Sequence, residues 1–350
     1  MSGTSLDGLD LAACRFELSG GQWHYTILEA ETIGYSPAWR DRLAGVENET
    51  ALGFVRTDIE YGDLLGQLTR DFIDKYKVSP DFIASHGHTV FHQPEKRITC
   101  QIGRGSAIAA GSSFPVVCDF RSLDVALGGQ GAPLVPIGDR LLFGEFDYCL
   151  NLGGFANISS EQDGKRVAFD VSPANIVLND LARKQGLPYD PDGALAAQGK
   201  VIPPLLHRLN QLPYYAQSPP KSLGKEWVIA NIHPLLSEEP HTDNDLLATF
   251  CEHIAMQVAA VTGKNSTRKL LITGGGAFNS HLVRRISELA AATVVLPDHN
   301  TINFKEALIF AFLGVLRWRG EHNTLSSVTG AACDNTGGAI YLHAPAQHEL

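Results

Sequence analysis

Apolar residues recur along the chain with two different spacings. Short continuous apolar runs, as at 9–14, 146–152 and 269–273, are bounded by glycine or polar clusters and predict buried strands. Longer stretches repeat apolar residues every three or four positions and predict helices over 63–76, 246–261 and 306–318. The last of these is apolar almost all round, which predicts a buried helix. Strands that alternate with helices in this way are typical of an α/β protein.

The pattern also repeats itself weakly between the two halves of the chain. A glycine-hydroxyl turn precedes the strand at 9–14, and a second strand over 146–152 leads into the turn Gly153–Gly154. A third strand, 269–273, ends in Gly274–Gly276 and is followed by a predicted helix over 279–291. We therefore predict a duplicated α/β protein with a cleft between its halves, and domains of 1–140 and 141–350.

Composition limits the functional classes. The 350 residues are 44% hydrophobic, and their formal charge of −10 argues against a nucleic-acid partner. The sequence has neither an apolar run long enough for a membrane span nor a secretory leader, so we predict a cytoplasmic protein without membrane association. The six cysteines are scattered without a CxxC pair, which favours buried free thiols.

Glycine turns are the strongest chemical signal. Glycine lets backbone N–H groups approach an anion closely, and three such turns next to predicted strands favour phosphate binding over plain hairpins. The sequence contains neither the P-loop pattern GxxxxGK[ST] nor the dinucleotide fingerprint GxGxxG. A nucleotide would therefore be bound in another way.

A histidine cluster lies in ASHGHTVFHQP, residues 84–94. The spacing of His88 and His92 would suit a metal ion on a helix, but Gly87 and the β-branched residues that follow favour a strand or loop. Hydrogen bonding to substrate or backbone is the favoured interpretation, and metal binding remains an alternative.

Two further segments carry polar side chains directly after predicted strands. The segment at 116–136 delivers Asp119, Arg121, Asp124 and Gln130 with a glycine-rich loop, which suits hydrogen bonding to sugar hydroxyls; the alternative is a surface ion pair. Asp170 follows the apolar run 167–169, and a carboxylate at a strand end is a good candidate for a general base. Ser172 is the predicted N-cap of the helix that follows.

Together these segments resemble the bacterial anhydro-N-acetylmuramic acid kinases over essentially the whole chain. The shared motifs occur in the expected order: MSGTSLDG, SHGxT with HxP, QIG, VxDFRxxDxAxGGQGAPLVP, NLGGFANIS, ITGGGAxN and EAxxFAxLG. The resemblance implies duplicated actin-like ATPase domains of the ribonuclease H-like type around an ATP cleft. It also implies the reaction: water opens the 1,6-anhydro ring of 1,6-anhydro-N-acetylmuramic acid, O6 takes the γ-phosphate of ATP, and N-acetylmuramic acid 6-phosphate enters cell-wall recycling.

The resemblance implies a role for each matching residue. Asp170 would be the base, and ATP would be held with Mg²⁺, for which Asp7 and Asp10 are the candidate ligands. The sugar would contact His86, Asp119, Arg121, Gln130 and Glu306, and the protein would be a homodimer. The residues predicted to bind ATP and its phosphates are Gly3, Thr4, Ser5, Leu6, Asp7, Gly8, Leu9, Asp10, Gly153, Gly154, Asn157, Gly274, Gly275 and Gly276.

The sequence departs from the family pattern in ways that keep other hypotheses open. Ser172 and Ala174 replace the two glycines of FDxGPGN, and they would narrow the site if those glycines hold a positive φ or let the backbone approach the ligand. Asn303 stands where the family usually has aspartate. In the family a strand leads into the opening turn, which predicts a true start upstream of Met1. The competing hypotheses are a homologue that binds nucleotide or muropeptide fragments without turnover, and a hydrolase with a metal on His88 and His92.

Overall fold

The computed structural model describes residues 1–3, 6, 8–238, 240–263 and 267–343. The chain forms two compact units, Met1–Leu142 together with the residues from Phe304 on, and Phe143–Asn303. The first division lies beside the predicted boundary at 140. The residues from Phe304 on were expected in the second domain, and they pack with the first unit instead.

Strands and helices of both units follow one another along the chain. The strands are β1 (Gly8–Ser19), β2 (Gln22–Gly34), β3 (Ile83–Ser85), β4 (His88–Gln93), β5 (Ile98–Ile102), β6 (Val116–Cys118), β7 (Tyr148–Leu152), β8 (Phe155–Gln162), β9 (Lys165–Pro173), β10 (Lys269–Thr273), β11 (Thr293–Val295) and β12 (Ala339–Tyr341). The α-helices are α1 (Pro37–Gly45), α2 (Ala51–Tyr76), α3 (Gly105–Ser112), α4 (Ser122–Ala126), α5 (Val135–Leu142), α6 (Asn175–Lys184), α7 (Ala194–Gln198), α8 (Pro203–Asn210), α9 (Lys225–Asn231), α10 (His233–Ser237), α11 (Asp243–Thr262), α12 (Ser280–Leu289), α13 (His299–Arg319) and α14 (Ser326–Thr329). Short 3₁₀ turns lie at Val46–Asn48, Pro94–Lys96, Pro191–Gly193, Pro213–Ala216 and Gly275–Phe278.

The second unit is built on one five-stranded sheet in the order β11-β10-β7-β8-β9. Strand β8 runs antiparallel to β7 and to β9, whereas β10 runs parallel to β7 and to β11. In chain order the strands are therefore arranged 3-2-1-4-5, with the second antiparallel to the rest. This is the ribonuclease H-like arrangement, and the predicted α/β fold class is confirmed.

The first unit contains similar components. A long hairpin joins β1 and β2, and a separate three-stranded sheet pairs β3 parallel to β6 and β12 antiparallel to β6. In the second unit, β8 and β9 form an antiparallel hairpin on one side of β7, and the parallel pair β10 and β11 lies on the other side. Ser2 bridges Leu9 just as Leu152 pairs with Ala156, so the opening turn and the Gly153–Gly154 turn have corresponding places.

Each unit has its own core. The packing of α13 explains why the residues after 303 belong to the first unit. Phe312 of this helix packs its ring 5.3 Å from that of Phe16 and 5.2 Å from that of Trp23, both on the β1–β2 hairpin. A Cβ on Gly314 would lie 2.7 Å from the Phe82 ring, so only glycine allows this close approach before β3. The apolar sequence of α13 predicted its burial but not the partner against which it packs.

The predicted elements are otherwise close to the observed ones. Strand 269–273 is β10, and the helices predicted at 63–76, 246–261 and 306–318 lie within α2, α11 and α13. All six cysteines are free, although Cys333 is exposed and only Cys149 and Cys251 are fully buried. Among the helices of the described ranges, none has the length and apolar character needed to cross a membrane.

Candidate active site

The opening turn is shorter than the sequence predicts. Strand β1 begins at Gly8, whose backbone lies so close to β2 that a Cβ would be 2.6 Å from the carbonyl oxygen of Ile33. Leu9 is 4% exposed and its side chain belongs to the core, and the contact with ATP predicted for this residue stays a prediction. Gly3 is exposed and Leu6 has a φ of 58°, whereas Thr4, Ser5 and Asp7 lie outside the described residues.

Three of the predicted sugar contacts lie together in the first unit. His86 is buried, its Nδ1 lies 2.9 Å from the carbonyl oxygen of Gly87, and its Nε2 accepts from Arg121. Burial and the nearby guanidinium lower the pKa of His86 to about 3. Desolvation raises the pKa of Glu306, although the positive charge of Arg121 opposes this effect. Desolvation lowers the pKa of Arg121 to about 10, and the negative charge of Glu306 opposes this shift.

The other two predicted sugar contacts are near this group. Asp119 has a φ of 58° at the end of β6, accepts a hydrogen bond from Ser122, and lines a polar cavity of about 310 Å³ with His86. Gln130 has an exposed side chain, and its backbone N–H donates to the carbonyl oxygen of Thr329. Both side chains therefore remain accessible to a ligand.

Asp124, one of the polar residues of the segment at 116–136, organises the glycine-rich loop, a role that the sequence did not predict. Asp124 is completely buried, and its carboxylate accepts hydrogen bonds from the backbone N–H of Gly131, from Thr329 Oγ1 and from Asn335 Nδ2 at 2.8 to 2.9 Å. The loop before Gly131 is thus tied to a segment some 200 residues later in the chain. In the sequence Asp124 lies between residues predicted to contact the sugar, which was the available signal. The sequence alone did not show its hydrogen-bond partners.

Asp170 lies on β9 in the second unit and is half-buried. Its Oδ1 accepts from Asn157 Nδ2 at 3.0 Å, and its Oδ2 accepts from the backbone N–H of Leu223 at 2.8 Å. The carbonyl oxygen of Asp170 also accepts from the Tyr214 hydroxyl at 2.6 Å. Desolvation raises the pKa of this carboxyl, while the two donors partly oppose the shift. A positioned carboxylate of increased basicity suits proton abstraction.

The second glycine turn connects β7 to β8. No neighbouring atom lies within 4 Å of a Cβ placed on Gly154, so this position is open. The carbonyl oxygens of Gly153 and Gly154 accept from the N–H groups at the start of α6. The side-chain amide of Asn157 donates to Asp170. A contact between Asn157 and ATP stays a prediction.

The third glycine turn borders a cavity in the second unit. This cavity has a volume of about 330 Å³ and is lined by Asn175, Leu178, Asn179, Tyr189, Asp190, Asp192, Gly275, Gly276, Phe278 and Asn279. The volume is within the range of small-molecule sites. Apolar side chains and several amide or carboxylate groups share its wall, which suits a ligand with a flat ring and hydroxyl groups.

Substitutions of Gly274 and Gly275 test whether the backbone of this turn is strained. Gly274 has a φ of 82°, and a Cβ there would lie 2.4 Å from Asn151 Oδ1, whereas the nearest atom to a Cβ on Gly275 is 3.9 Å away. We expect Gly274→Ala to lower the free energy of unfolding by about 1–3 kcal/mol. Gly275→Ala is the matched control and should change it by less than about 0.5 kcal/mol. Urea unfolding measures both; equal effects would contradict the assigned backbone strain.

Neither substituted position of the FDxGPGN motif has the positive φ that would make glycine necessary. Ser172 and Ala174 are fully buried within the second unit, and neither has a positive φ. Ser172 also does not cap α6, because its hydroxyl donates to the carbonyl oxygen of Pro173 and Ala174 is the residue before the helix. The side chains that replace glycine therefore point into the protein.

The histidines proposed for a metal have other contacts. His88 Nδ1 lies 3.1 Å from Ser2 Oγ, and His92 Nδ1 lies 3.1 Å from Thr99 Oγ1. Within the described ranges, no group of three or more His, Cys, Asp or Glu side chains is placed to hold a metal ion.

A family of known proteins resembles this chain over nearly its whole length. A family model described as anhydro-N-acetylmuramic acid kinase matches residues 1–343. Proteins named anhydro-N-acetylmuramic acid kinase from Xanthomonas campestris and Pseudomonas putida are each 35% identical; the alignments cover 97% of this chain and 96% and 98% of theirs. A solved activator of the 2-hydroxyisocaproyl-CoA dehydratase from Clostridium difficile aligns over 53% of this chain and 67% of its own, with 15% identity and a TM-score of 0.34, too weak a likeness to decide anything.

The fold and these matches define a carbohydrate kinase. The chain belongs to the anhydro-N-acetylmuramic acid kinase family.

Proposed function

We propose that this protein opens the 1,6-anhydro ring of 1,6-anhydro-N-acetylmuramic acid with water and transfers the γ-phosphate of ATP to O6. The product is N-acetylmuramic acid 6-phosphate, an intermediate of cell-wall recycling. The observation that carries the proposal is Asp170, a half-buried carboxylate with a raised pKa and an oriented position in a chain of this family.

Asp170 is suited to activate the water that opens the ring. Asn157 and the Leu223 N–H fix its two oxygens, and each oxygen retains a lone pair for a proton. The carboxylate takes a proton from water, the water oxygen bonds to the anomeric carbon, and the bond from that carbon to O6 breaks. The released O6 then bonds to the γ-phosphorus as the bond to the ADP oxygen breaks.

The cavity beside Gly275 and Gly276 is the proposed site for the nucleoside of ATP. Leu178 and Phe278 offer apolar surface for a base, and Asn179 and Asp192 offer hydrogen-bonding groups for ribose hydroxyls. Gly154 is exposed and is the proposed backbone N–H donor to a phosphate, since the N–H of Gly153 donates to the carbonyl oxygen of Phe155 at 3.2 Å.

The first unit contributes charge and candidate sugar contacts. Bound Mg²⁺ would neutralise charge on the phosphate oxygens, and Asp10 suits it because only one carboxylate oxygen accepts a hydrogen bond, from Thr32 at 2.6 Å, among the described residues. Asp119, Arg121, Gln130 and Glu306 are the proposed sugar contacts. A homodimer remains a prediction from the family resemblance, and a cytoplasmic location remains a prediction from the sequence.

Release of ADP tests the proposal against a binder without turnover. We expect ADP release from MgATP to depend on added 1,6-anhydro-N-acetylmuramic acid and to fall by at least about 100-fold in Asp170→Asn. Wild-type protein that binds both ligands but releases no ADP would overturn the proposed function and favour the binding homologue.

The hydrogen bond from Asn157 gives a pH prediction. Activity requires ionised Asp170, so it falls as pH drops through the pKa of that carboxyl. Asn157 lowers this pKa, and Asn157→Leu removes the donor while retaining a similar volume. We expect the acid limb of the kcat/KM profile to move to higher pH in Asn157→Leu. An acid limb at an unchanged or lower pH would show that Asp170 is not the group that titrates.

A further inference from the structure

The bonding of His86 fixes the position of its proton. Nδ1 lies 2.9 Å from the carbonyl oxygen of Gly87, and a carbonyl can only accept, so Nδ1 carries the hydrogen. In the neutral ring Nε2 then has a lone pair, which accepts from Nε and Nη2 of Arg121 at 3.0 and 2.8 Å. Both ring nitrogens of this buried histidine are thus used inside the protein.

The same contacts orient the guanidinium of Arg121. His86 takes the edge formed by Nε and Nη2, and Nη1 donates to the carbonyl oxygen of Gly131 at 2.6 Å. Asp124 holds the N–H of Gly131, so this acceptor is itself fixed, and the Phe310 ring lies 5.8 Å from the guanidinium carbon. Of the five N–H donors of an arginine, one on Nη1 and one on Nη2 have no acceptor among the described residues.

We propose that His86 is a positioning residue that holds Arg121 so that its two remaining N–H groups bind an oxyanion of the substrates. This inference rests on the proposed function for the identity of the oxyanion. It is either a phosphate oxygen of ATP or the carboxylate of the muramic acid, since a guanidinium binds both. With both ring nitrogens used inside the protein, His86 has no hydrogen bond left for the sugar, which differs from the role predicted for it.

A role for His86 in proton transfer is inconsistent with this geometry. Protonation at Nε2 would direct an N–H toward the Arg121 guanidinium and remove the acceptor. The charged and titratable groups around the ring are Arg121, the amino terminus and His88, and the pKa of His86 is lowered to about 3. The imidazole is therefore neutral across the physiological pH range.

A double-mutant cycle tests the dependence on Arg121. We expect His86→Ala to lower kcat/KM by roughly 10–100-fold and to have no further effect, within about 2-fold, in an Arg121→Ala background. A rise in the KM for the sugar identifies the carboxylate as the oxyanion, whereas a rise in the KM for ATP or a fall in kcat identifies a phosphate oxygen. Multiplicative losses would show that His86 acts independently of Arg121 and would overturn the proposal.

Two conservative variants separate positioning from simple loss of structure. His86→Gln places an amide oxygen near the position of Nε2 and should recover most of the activity; His86→Asn reaches only the position of Nδ1 and should not. His24→Ala, at an exposed histidine on β2, is the control expected to retain wild-type activity. Equal activities of the Gln and Asn variants would contradict the proposal.

Nitrogen NMR of the wild-type histidines tests the tautomer without any turnover. We expect the His86 ring to carry its hydrogen on Nδ1 and not to titrate between about pH 5 and 8. An Nε2–H tautomer or a titration in that range would overturn the inference. Because this measurement needs no substrate, its failure is distinguishable from failure of the proposed reaction.

Discussion

Asp170→Asn is expected to reduce kcat by about 10²–10⁴-fold, the usual contribution of a general base. The amide has almost the shape of the carboxylate, and its oxygen can still accept from Asn157. It cannot take a proton from water, and its NH₂ group would face the N–H of Leu223, which now donates to Oδ2 at 2.8 Å. The chemistry should therefore be lost with a small structural change.

The binding of ATP separates this effect from a general loss of structure. Asp170 does not line the cavity proposed for the nucleoside, so the Kd for ATP should remain within about 3-fold of wild type. Asp163→Asn is the matched control, because Asp163 is exposed at the β8–β9 turn, where its φ of 49° suits asparagine as well. Near-normal kcat in Asp170→Asn would mean that another carboxylate activates the water.

Asp124→Ala is expected to lower the free energy of unfolding of the first unit by about 3–5 kcal/mol. Three buried donors, on Gly131, Thr329 and Asn335, would lose their charged acceptor at once. Since solvent does not reach this site, water cannot replace the carboxylate without a rearrangement of the loop. Asp81→Ala, at an exposed aspartate before β3, is the control and should change stability by less than about 0.5 kcal/mol.

Tryptophan fluorescence during urea unfolding measures this prediction. Of the four tryptophans, Trp23, Trp39 and Trp318 lie in the first unit and Trp227 in the second. The fluorescence transition of Asp124→Ala should move to lower urea concentration, whereas Asp81→Ala should retain the wild-type midpoint. Equal midpoints for the two variants would show that the carboxylate does not stabilise the loop.

The sequence predicted those parts of the fold that depend on local pattern. The apolar run 269–273 and the glycines after it specified β10 and its turn because strand period and turn chemistry are local. The packing of α13 was not predictable, since the period that indicated a buried helix does not identify the side chains of Phe16 and Trp23 as its partners. The length of the opening turn was overestimated because pairing of Gly8 and Leu9 with β2 extends over positions that read as a polar loop.

The candidate site shows the same limit. The sequence motifs identified His86, Arg121 and Asp170 as candidate site residues. Several of the hydrogen-bond partners that define their roles come from distant positions in the chain. His86 is an example: sequence suggested a sugar contact, and only the carbonyl of Gly87 and the guanidinium of Arg121 reveal a fixed tautomer. Ser172 is another, because the sequence suggested a helix N-cap, whereas its hydroxyl donates to the carbonyl oxygen of Pro173.

Analysis of the product tests the central claim most directly. Wild-type protein with MgATP and 1,6-anhydro-N-acetylmuramic acid should yield a sugar whose mass exceeds that of the substrate by one water and one phosphoryl group, with the phosphate on O6. A product that gains only water, only a phosphoryl group, or a phosphate at another oxygen would contradict the account of coupled ring opening and phosphoryl transfer.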